Sequence, residues 1–337
     1  MLARGLAGGF LTVLLSTVSA APVPVDDLAR CAAIAEDGER LACYDALAEK
    51  QKPAGEANTE GTARQAAAPT VEEEGAVEKR IEQEEKAARN WFALTPYRPN
   101  YVLPLTYNFN PNNETFQELR PGEDIDNVEV KFQVSLQFDL WPQMFVQNLD
   151  LYAAYTQLAF WQAYNTEASS PFRETNYEPE LGLRYRPDLD LLGINLQQIN
   201  LGVVHQSNGR GEPLSRSWNR VFAAFLLERG DFALLFKPWY RIPEDDADDD
   251  NPDITGFLGY GELYGFYKRK QQTFALMARN NLKTSHNRGA VQVDWSFPMT
   301  GRLKGYVQYF YGYGESLVDY DHLTNRIGVG LMISDWL

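Results

Sequence analysis

In the stretch "HQSNGRGEPLSRSWNR", residues 205–220, a histidine and a serine stand two positions apart and an asparagine follows at 219. His205 is one of only three histidines in 337 residues. These types suit nucleophilic acyl transfer. The Ser207 hydroxyl is a weak nucleophile until a neighbouring base takes its proton. Histidine is the side chain whose ordinary pKa lets it be that base near neutrality, which casts His205 in the role. Asn219 offers an amide oxygen to fix the imidazole tautomer. Beside lipid, a neutral amide avoids the cost of keeping an isolated carboxylate ionised. Gly209, lacking a side chain, could bring a backbone N–H to a developing oxyanion. An H-x-S pair alone more often marks polarity at a strand end, so the chemistry depends on the elements that hold it.

Those elements read as strands. In "VEVKFQVSLQFDLW", Val128, Val130, Phe132, Val134, Leu136, Phe138 and Leu140 alternate with Glu129, Lys131, Gln133, Ser135, Gln137 and Asp139. A strand turns successive side chains to opposite faces, so one face is apolar and the other polar. Runs of this kind lie near 100–107, 127–140, 149–163, 175–186, 195–207, 217–228, 231–242, 255–268, 272–281, 287–297, 302–313 and 323–335. Many have the length that a tilted strand needs to cross the hydrocarbon. Connections such as "RG" at 229–230 and "PMTG" at 298–301 are short, whereas others, such as "PEDDADDDNPD" at 243–253, are long and acidic. Short turns at one rim and long loops at the other mark an outer-membrane barrel. In the last run, Ile327, Val329, Leu331, Ile333 and the final Leu337 share a face, an ending suited to the barrel-assembly machinery. The expected fold is all-β: a twelve-stranded antiparallel transmembrane β-barrel.

By phase, Leu201, Val203, His205 and Ser207 fall on one face of their strand. Asn219, Val221, Ala223, Phe225 and Leu227 fall on one face of the next. The three polar groups therefore meet on the outer, lipid-facing wall, near the long-loop rim. Polar side chains there are costly and point to function.

The remaining features bound the class. A net charge of −15 makes nucleic acid an unsuitable partner, because phosphate binding needs basic stripes. The negative mean hydropathy argues against a helical membrane protein but permits a barrel, whose alternate residues are polar. Residues 1–20 run from Arg4 through an apolar stretch to Val18-Ser19-Ala20, the order of a secretory signal. Cys31 and Cys43 are the only cysteines; in an oxidising compartment they are expected to form a disulfide and staple a helical hairpin. The segment 21–90 is expected to be an α-helical or disordered extension, with its Ala, Glu and Lys stretch a tether, and 91–337 the barrel.

The stretch 205–220 resembles the signature of the outer-membrane phospholipase A family, departing from it at Gln206, Gly211, Glu212 and Leu214. The resemblance runs from about Trp91 to Leu337 through "SSPFRETNYEP", "KPWY", "DDNPDIT" and "YGYGESLVDY". It implies an outer-membrane enzyme that hydrolyses acyl esters of phospholipids and lysophospholipids, needs Ca2+ and acts as a reversible homodimer, with both termini periplasmic. It places the triad on Ser207 as nucleophile, His205 as base and Asn219 as orienter, with Gly209 in the oxyanion site. Calcium would be held by the Arg210 carbonyl and the Ser215 hydroxyl, with Ser169 supplied by a second subunit. Gln157 would lie at the dimer contact. Glu212 replaces an aspartate of a secondary calcium site; a longer carboxylate still suits that ion.

Blander readings apply elsewhere. The acidic loop 243–253 lacks the glycine and terminal glutamate of an EF-hand, and loop acidity alone accounts for it. His286 and His322 read as surface residues, and Arg173 with Glu174 as an interior ion pair. Two rival functions remain: a non-catalytic barrel, as channel or anchor, and a barrel that serves only to hold the 21–90 segment.

Overall fold

The computed structural model describes residues 30–34, 36–49, 75–88, 93–187, 189–245, 247–301 and 303–336. The expected signal at 1–20 and most of the expected tether lie outside these residues. The chain divides into two units, Met1–Val71 and Glu72–Leu337. In the first, helix α1 (Asp37–Glu49) carries Cys43, which is bonded to Cys31.

The second unit is a closed antiparallel barrel. Its strands are β1 (Asn100–Asn108), β2 (Val128–Trp141), β3 (Leu149–Trp161), β4 (Phe172–Tyr185), β5 (Ile194–Ser207) and β6 (Ser217–Arg229). They continue as β7 (Phe232–Ile242), β8 (Gly261–Arg269), β9 (Gln272–Asn280), β10 (Gly289–Thr300), β11 (Leu303–Gly312) and β12 (Thr324–Ser334). Neighbours in sequence pair throughout, and β12 returns to β1 through pairs such as Ile327 with Tyr107, which closes the wall. An even strand number brings both ends of the wall to one rim. The loops at 208–216 and 243–260 lie at the other.

Burial is inverted relative to a water-soluble protein. On β2 the apolar Val134, Phe138 and Leu140 are exposed, whereas Glu129, Lys131, Ser135 and Gln137 are buried. The outer wall is apolar and the polar residues fill the lumen, as a lipid-embedded barrel requires. Inside, Glu129 bridges Arg173 at 3.0 Å and Arg326 at 2.8 Å, and Glu315 bridges Lys131 and Arg326, each at 2.8 Å. Removing one member of such a set would leave a buried charge uncompensated, at a cost of about 3–5 kcal/mol.

Three sequence readings change. The run near 255–268 does not begin as strand: Thr255–Leu258 forms a helical turn, and β8 starts at Gly261. Ile254, Phe257 and Leu258 turn inward and pack with Trp218, Trp239 and Leu317 beneath the loop rim. Arg173 and Glu174 do not pair with each other; Arg173 pairs with Glu129 and Asp319, and Glu174 with Arg210. Arg173 is the extra residue of a bulge opposite Phe160 and Trp161, so both side chains are buried and each finds a separate partner.

Helix α2 (Ala76–Ala88) lies within the stretch whose composition suggests a tether, yet it packs inside the rim opposite those loops. Val77 is buried against Ala233, Phe266 and Ala275, and its N–H donates to Glu228 Oε1 at 2.8 Å. A carboxylate at a helix N-terminus satisfies orphan donors and meets the positive end of the helix dipole. Arg80 donates to the carbonyl oxygens of Tyr97 and Trp336, joining the helix to the chain beside β1 and after β12.

Candidate active site

Strands β5 and β6 pair antiparallel, and their register sets His205 directly opposite Asn219 and Ser207 opposite Ser217. Phase decides which way these residues face. Val203 and Val221, on the same faces as His205 and Asn219, are exposed, while Val204, Trp218, Arg220 and Phe222 between them are buried in the lumen. His205 is exposed, and Ser207 and Asn219 are half-buried. The triad candidates thus lie on the outer wall at the end of the strands nearest the long loops.

The bond that defines the site joins His205 Nδ1 to Asn219 Oδ1 at 2.9 Å. An amide oxygen only accepts, so the imidazole must donate from Nδ1. That leaves the Nε2 lone pair free to take a proton. Ser207 lies on the same face two residues nearer the rim, ~7 Å along the strand between Cα atoms. The other end of the amide is also held: Asn219 Nδ2 donates to Glu244 Oε1 at 2.8 Å.

The loop 208–216 is organised by the buried Asn208. Its Oδ1 accepts from the backbone N–H groups of Arg210 at 3.2 Å and Arg216 at 3.1 Å, and its Nδ2 donates to the Leu214 carbonyl at 2.8 Å. Gly209 has φ +64°, the left-handed region, and an added Cβ would come 3.1 Å from the Tyr177 ring. Glycine is thus demanded by the turn itself. Of the positions departing from the resembled pattern, Gln206 faces the lumen and accepts from Trp218 Nε1 at 2.8 Å, while Leu214 is buried. Neither disturbs the outer face.

Of the expected calcium donors, Ser215 and Glu212 each reach Asp250. Ser215 Oγ donates to Asp250 Oδ2 at 2.5 Å. The Glu212 carboxyl is raised above the ordinary range, first by a hydrogen bond shared with Asp250 and then by desolvation and that neighbour's charge. Arg210 turns its side chain away to Glu174 Oε2 at 3.1 Å. Two neighbouring carboxylates and a hydroxyl are hard oxygen donors of the kind calcium takes, as is the Arg210 carbonyl of the same loop. Among the described residues no three Asp, Glu, His or Cys side chains converge to complete a shell. Ser169 is exposed on the loop between β3 and β4, with φ +59°.

Gln157 falls in register with the site. It pairs with Tyr177 across β3 and β4, and Tyr177 pairs with Ser207 across β4 and β5. Gln157 is therefore level with Ser207 on the outer wall. His286 and His322 lie in other loops, as expected of surface residues.

Two residues at the site escaped the sequence reading, Glu244 and Asp250. Both come from the acidic loop 243–253. The signal was register: Asn219 pairs with Ile242, the last residue of β7, so whatever follows Ile242 starts beside the triad.

A family model described as phospholipase A1 matches residues 77–333, so the match takes in most of helix α2. Phospholipase A1 of Klebsiella pneumoniae is 41% identical over 246 residues, covering 73% of this chain and 84% of the relative. An active-site mutant of Escherichia coli outer membrane phospholipase A, with an asparagine replaced by alanine, superposes with TM-score 0.71 and 38% identity. It covers 76% of this chain and 98% of that one. The Salmonella typhi outer membrane phospholipase dimer with bound calcium gives TM-score 0.70 and 39% identity, over 74% of this chain and 96% of the other.

Proposed function

Because the chain belongs to the phospholipase A1 family, we propose that it hydrolyses acyl ester bonds of phospholipids and lysophospholipids in the outer membrane. Ser207 attacks the ester carbonyl, His205 Nε2 takes the hydroxyl proton and returns it to the leaving alcohol, and Asn219 holds the imidazole. Water, giving a proton to His205, then attacks the acyl-serine, releasing the fatty acid as that proton returns to Ser207 Oγ. The observation that carries this reading is the 2.9 Å bond from His205 to Asn219 on a wall that is otherwise apolar. Its support from outside this chain is the related E. coli structure, whose replaced active-site residue is an asparagine.

The position of the site suits the substrate. Acyl chains lying along the outer wall would bring their ester groups to the ends of the strands, where His205 and Ser207 stand. The Gly209 N–H is the proposed oxyanion donor. Arg210 through its carbonyl, Ser215 through its hydroxyl, and the Glu212–Asp250 pair are the proposed calcium donors. When bound, calcium would stabilise negative charge developing on the ester oxygen. The related S. typhi structure is a dimer with calcium, which favours completion of the shell by a second copy of this chain, with Ser169 from that copy and Gln157 at the contact. Substrate binding in a groove between two convex walls follows from that arrangement.

The lumen gives no support to a channel: Lys131, Arg173 and Arg326 cross it in ion pairs, and helix α2 occupies one mouth. The periplasmic placement of both termini, the secretory signal and recognition by the barrel-assembly machinery belong to the same proposal. The test is fatty-acid release from defined phospholipid in mixed micelles, with calcium. Wild type should release it and Ser207→Ala should not, while both keep the heat-resistant mobility of a folded barrel. Equal release by the two would overturn the assignment.

A further inference from the structure

We propose that Glu244 is a positioning residue for this hydrolysis. Its carboxylate holds the Asn219 amide with the oxygen toward His205, and so fixes the tautomer that can accept the Ser207 proton. The inference rests on the triad reading given above and adds a member that the triad alone leaves out.

An asparagine amide has two orientations of nearly the same shape. With Oδ1 toward His205, it accepts from Nδ1–H and Nε2 keeps its lone pair. Flipped, Nδ2–H would donate to Nδ1 and drive the ring proton to Nε2, and the base would be lost. A carboxylate only accepts, so it selects the first orientation. The two bonds lie in series at 2.9 Å from His205 to Asn219 and 2.8 Å from Asn219 to Glu244.

The fold supplies Glu244 reliably. Ile242 pairs with Asn219, Pro243 stiffens the exit from β7, and Glu244 turns back over the amide. Its side chain is 17% exposed, with Oε2 4.0 Å from Arg241 Nη2. Arg241 is itself bonded to Asp249 at 2.5 Å, which anchors the loop from its other arm. The arrangement also places charge sensibly. A Ser-His-Asp site has its carboxylate directly against the imidazole, whereas here the residue on the lipid-facing wall is neutral and the carboxylate stands one hydrogen bond further out, in the loop. Negative charge still faces the imidazolium that forms when Ser207 Oγ–H passes its proton to His205 Nε2.

The experiment compares wild type, Ser207→Ala, Glu244→Ala and Glu244→Gln, all folded in detergent with calcium and phospholipid. Glu244→Ala should lose a few-fold to roughly tenfold in kcat, bounded by the loss on removing the Asn219 amide through which it acts, with KM nearly unchanged. Glu244→Gln should recover part of the loss, because its oxygen still accepts from Asn219 Nδ2. Imidazole 15N spectra provide a readout that a general structural role would not move. With only three histidines, His205 is assignable, and it should be Nδ1-protonated in wild type and a mixture of tautomers in Glu244→Ala. The proposal is overturned by Glu244→Ala with wild-type kcat, by a loss confined to KM, or by an unmixed Nδ1–H tautomer in that variant. Should wild type release no more fatty acid than Ser207→Ala, the enzymatic reading fails by itself. The tautomer spectra, which need no turnover, would still decide the role of Glu244.

Discussion

Replacing Asn219 with alanine asks how much of the rate depends on one amide. In the ground state the His205–Asn219 bond at 2.9 Å is neutral, and such bonds net about 0.5–1.5 kcal/mol. In the proposed mechanism the ring becomes an imidazolium as the Ser207 proton arrives, and the same bond becomes charge-assisted, about 1.5–3 kcal/mol. The difference, about 1–1.5 kcal/mol, falls on the transition state and should appear in kcat as a loss of roughly tenfold. That is well below the ~10⁴-fold loss seen when the buried aspartate of a Ser-His-Asp site is replaced, because the group removed here is neutral and half-buried. The assay is initial-rate fatty-acid release across substrate concentrations, with folding checked by heat-modifiable mobility. A kcat unchanged from wild type, or an effect on KM alone, would refute the assignment of Asn219 as the residue that orients the base.

Further outcomes follow from the loop. Gly209→Ala should fold but lose most activity, because a Cβ at φ +64° is strained and would crowd Tyr177; calcium titration and hydrolysis of the refolded variant check this. Asp250→Asn should raise the calcium needed for half-maximal hydrolysis, since it weakens the acceptor beside Ser215 and halves the carboxylate pair. In wild type the same requirement should rise as pH falls: Asp250 holds the Glu212 carboxyl above its usual range, so protons compete with the cation before ordinary carboxylates titrate. A calcium requirement indifferent to both would separate this pair from the ion.

Much of the wall was legible because alternation is a local property. Val134 and Phe138 outside with Ser135 and Gln137 inside could be read from order alone, and the phase of His205, Ser207 and Asn219 came with it. What failed was whatever depends on neighbours far along the chain. Phe257 and Leu258 are apolar enough to pass for strand, and only their packing on Trp239 and Leu317 turns them into a cap beneath the loops. Helix α2 carries few apolar residues, Val77 and Ile81 among them, so its composition suggests a solvated tether until Phe266 and Glu228 are seen to receive it. Glu244 and Asp250 are indistinguishable from their acidic neighbours in sequence; register, not residue type, brings these two to Asn219 and Ser215.

The proposed function requires an activated serine on the outer wall. A fluorophosphonate probe, followed by peptide mass spectrometry of the folded barrel, tests it most directly. Labelling should fall on Ser207 alone and vanish in His205→Ala. A label on any other residue, or one on Ser207 that persists without His205, would rule out Ser207 as a nucleophile activated by His205.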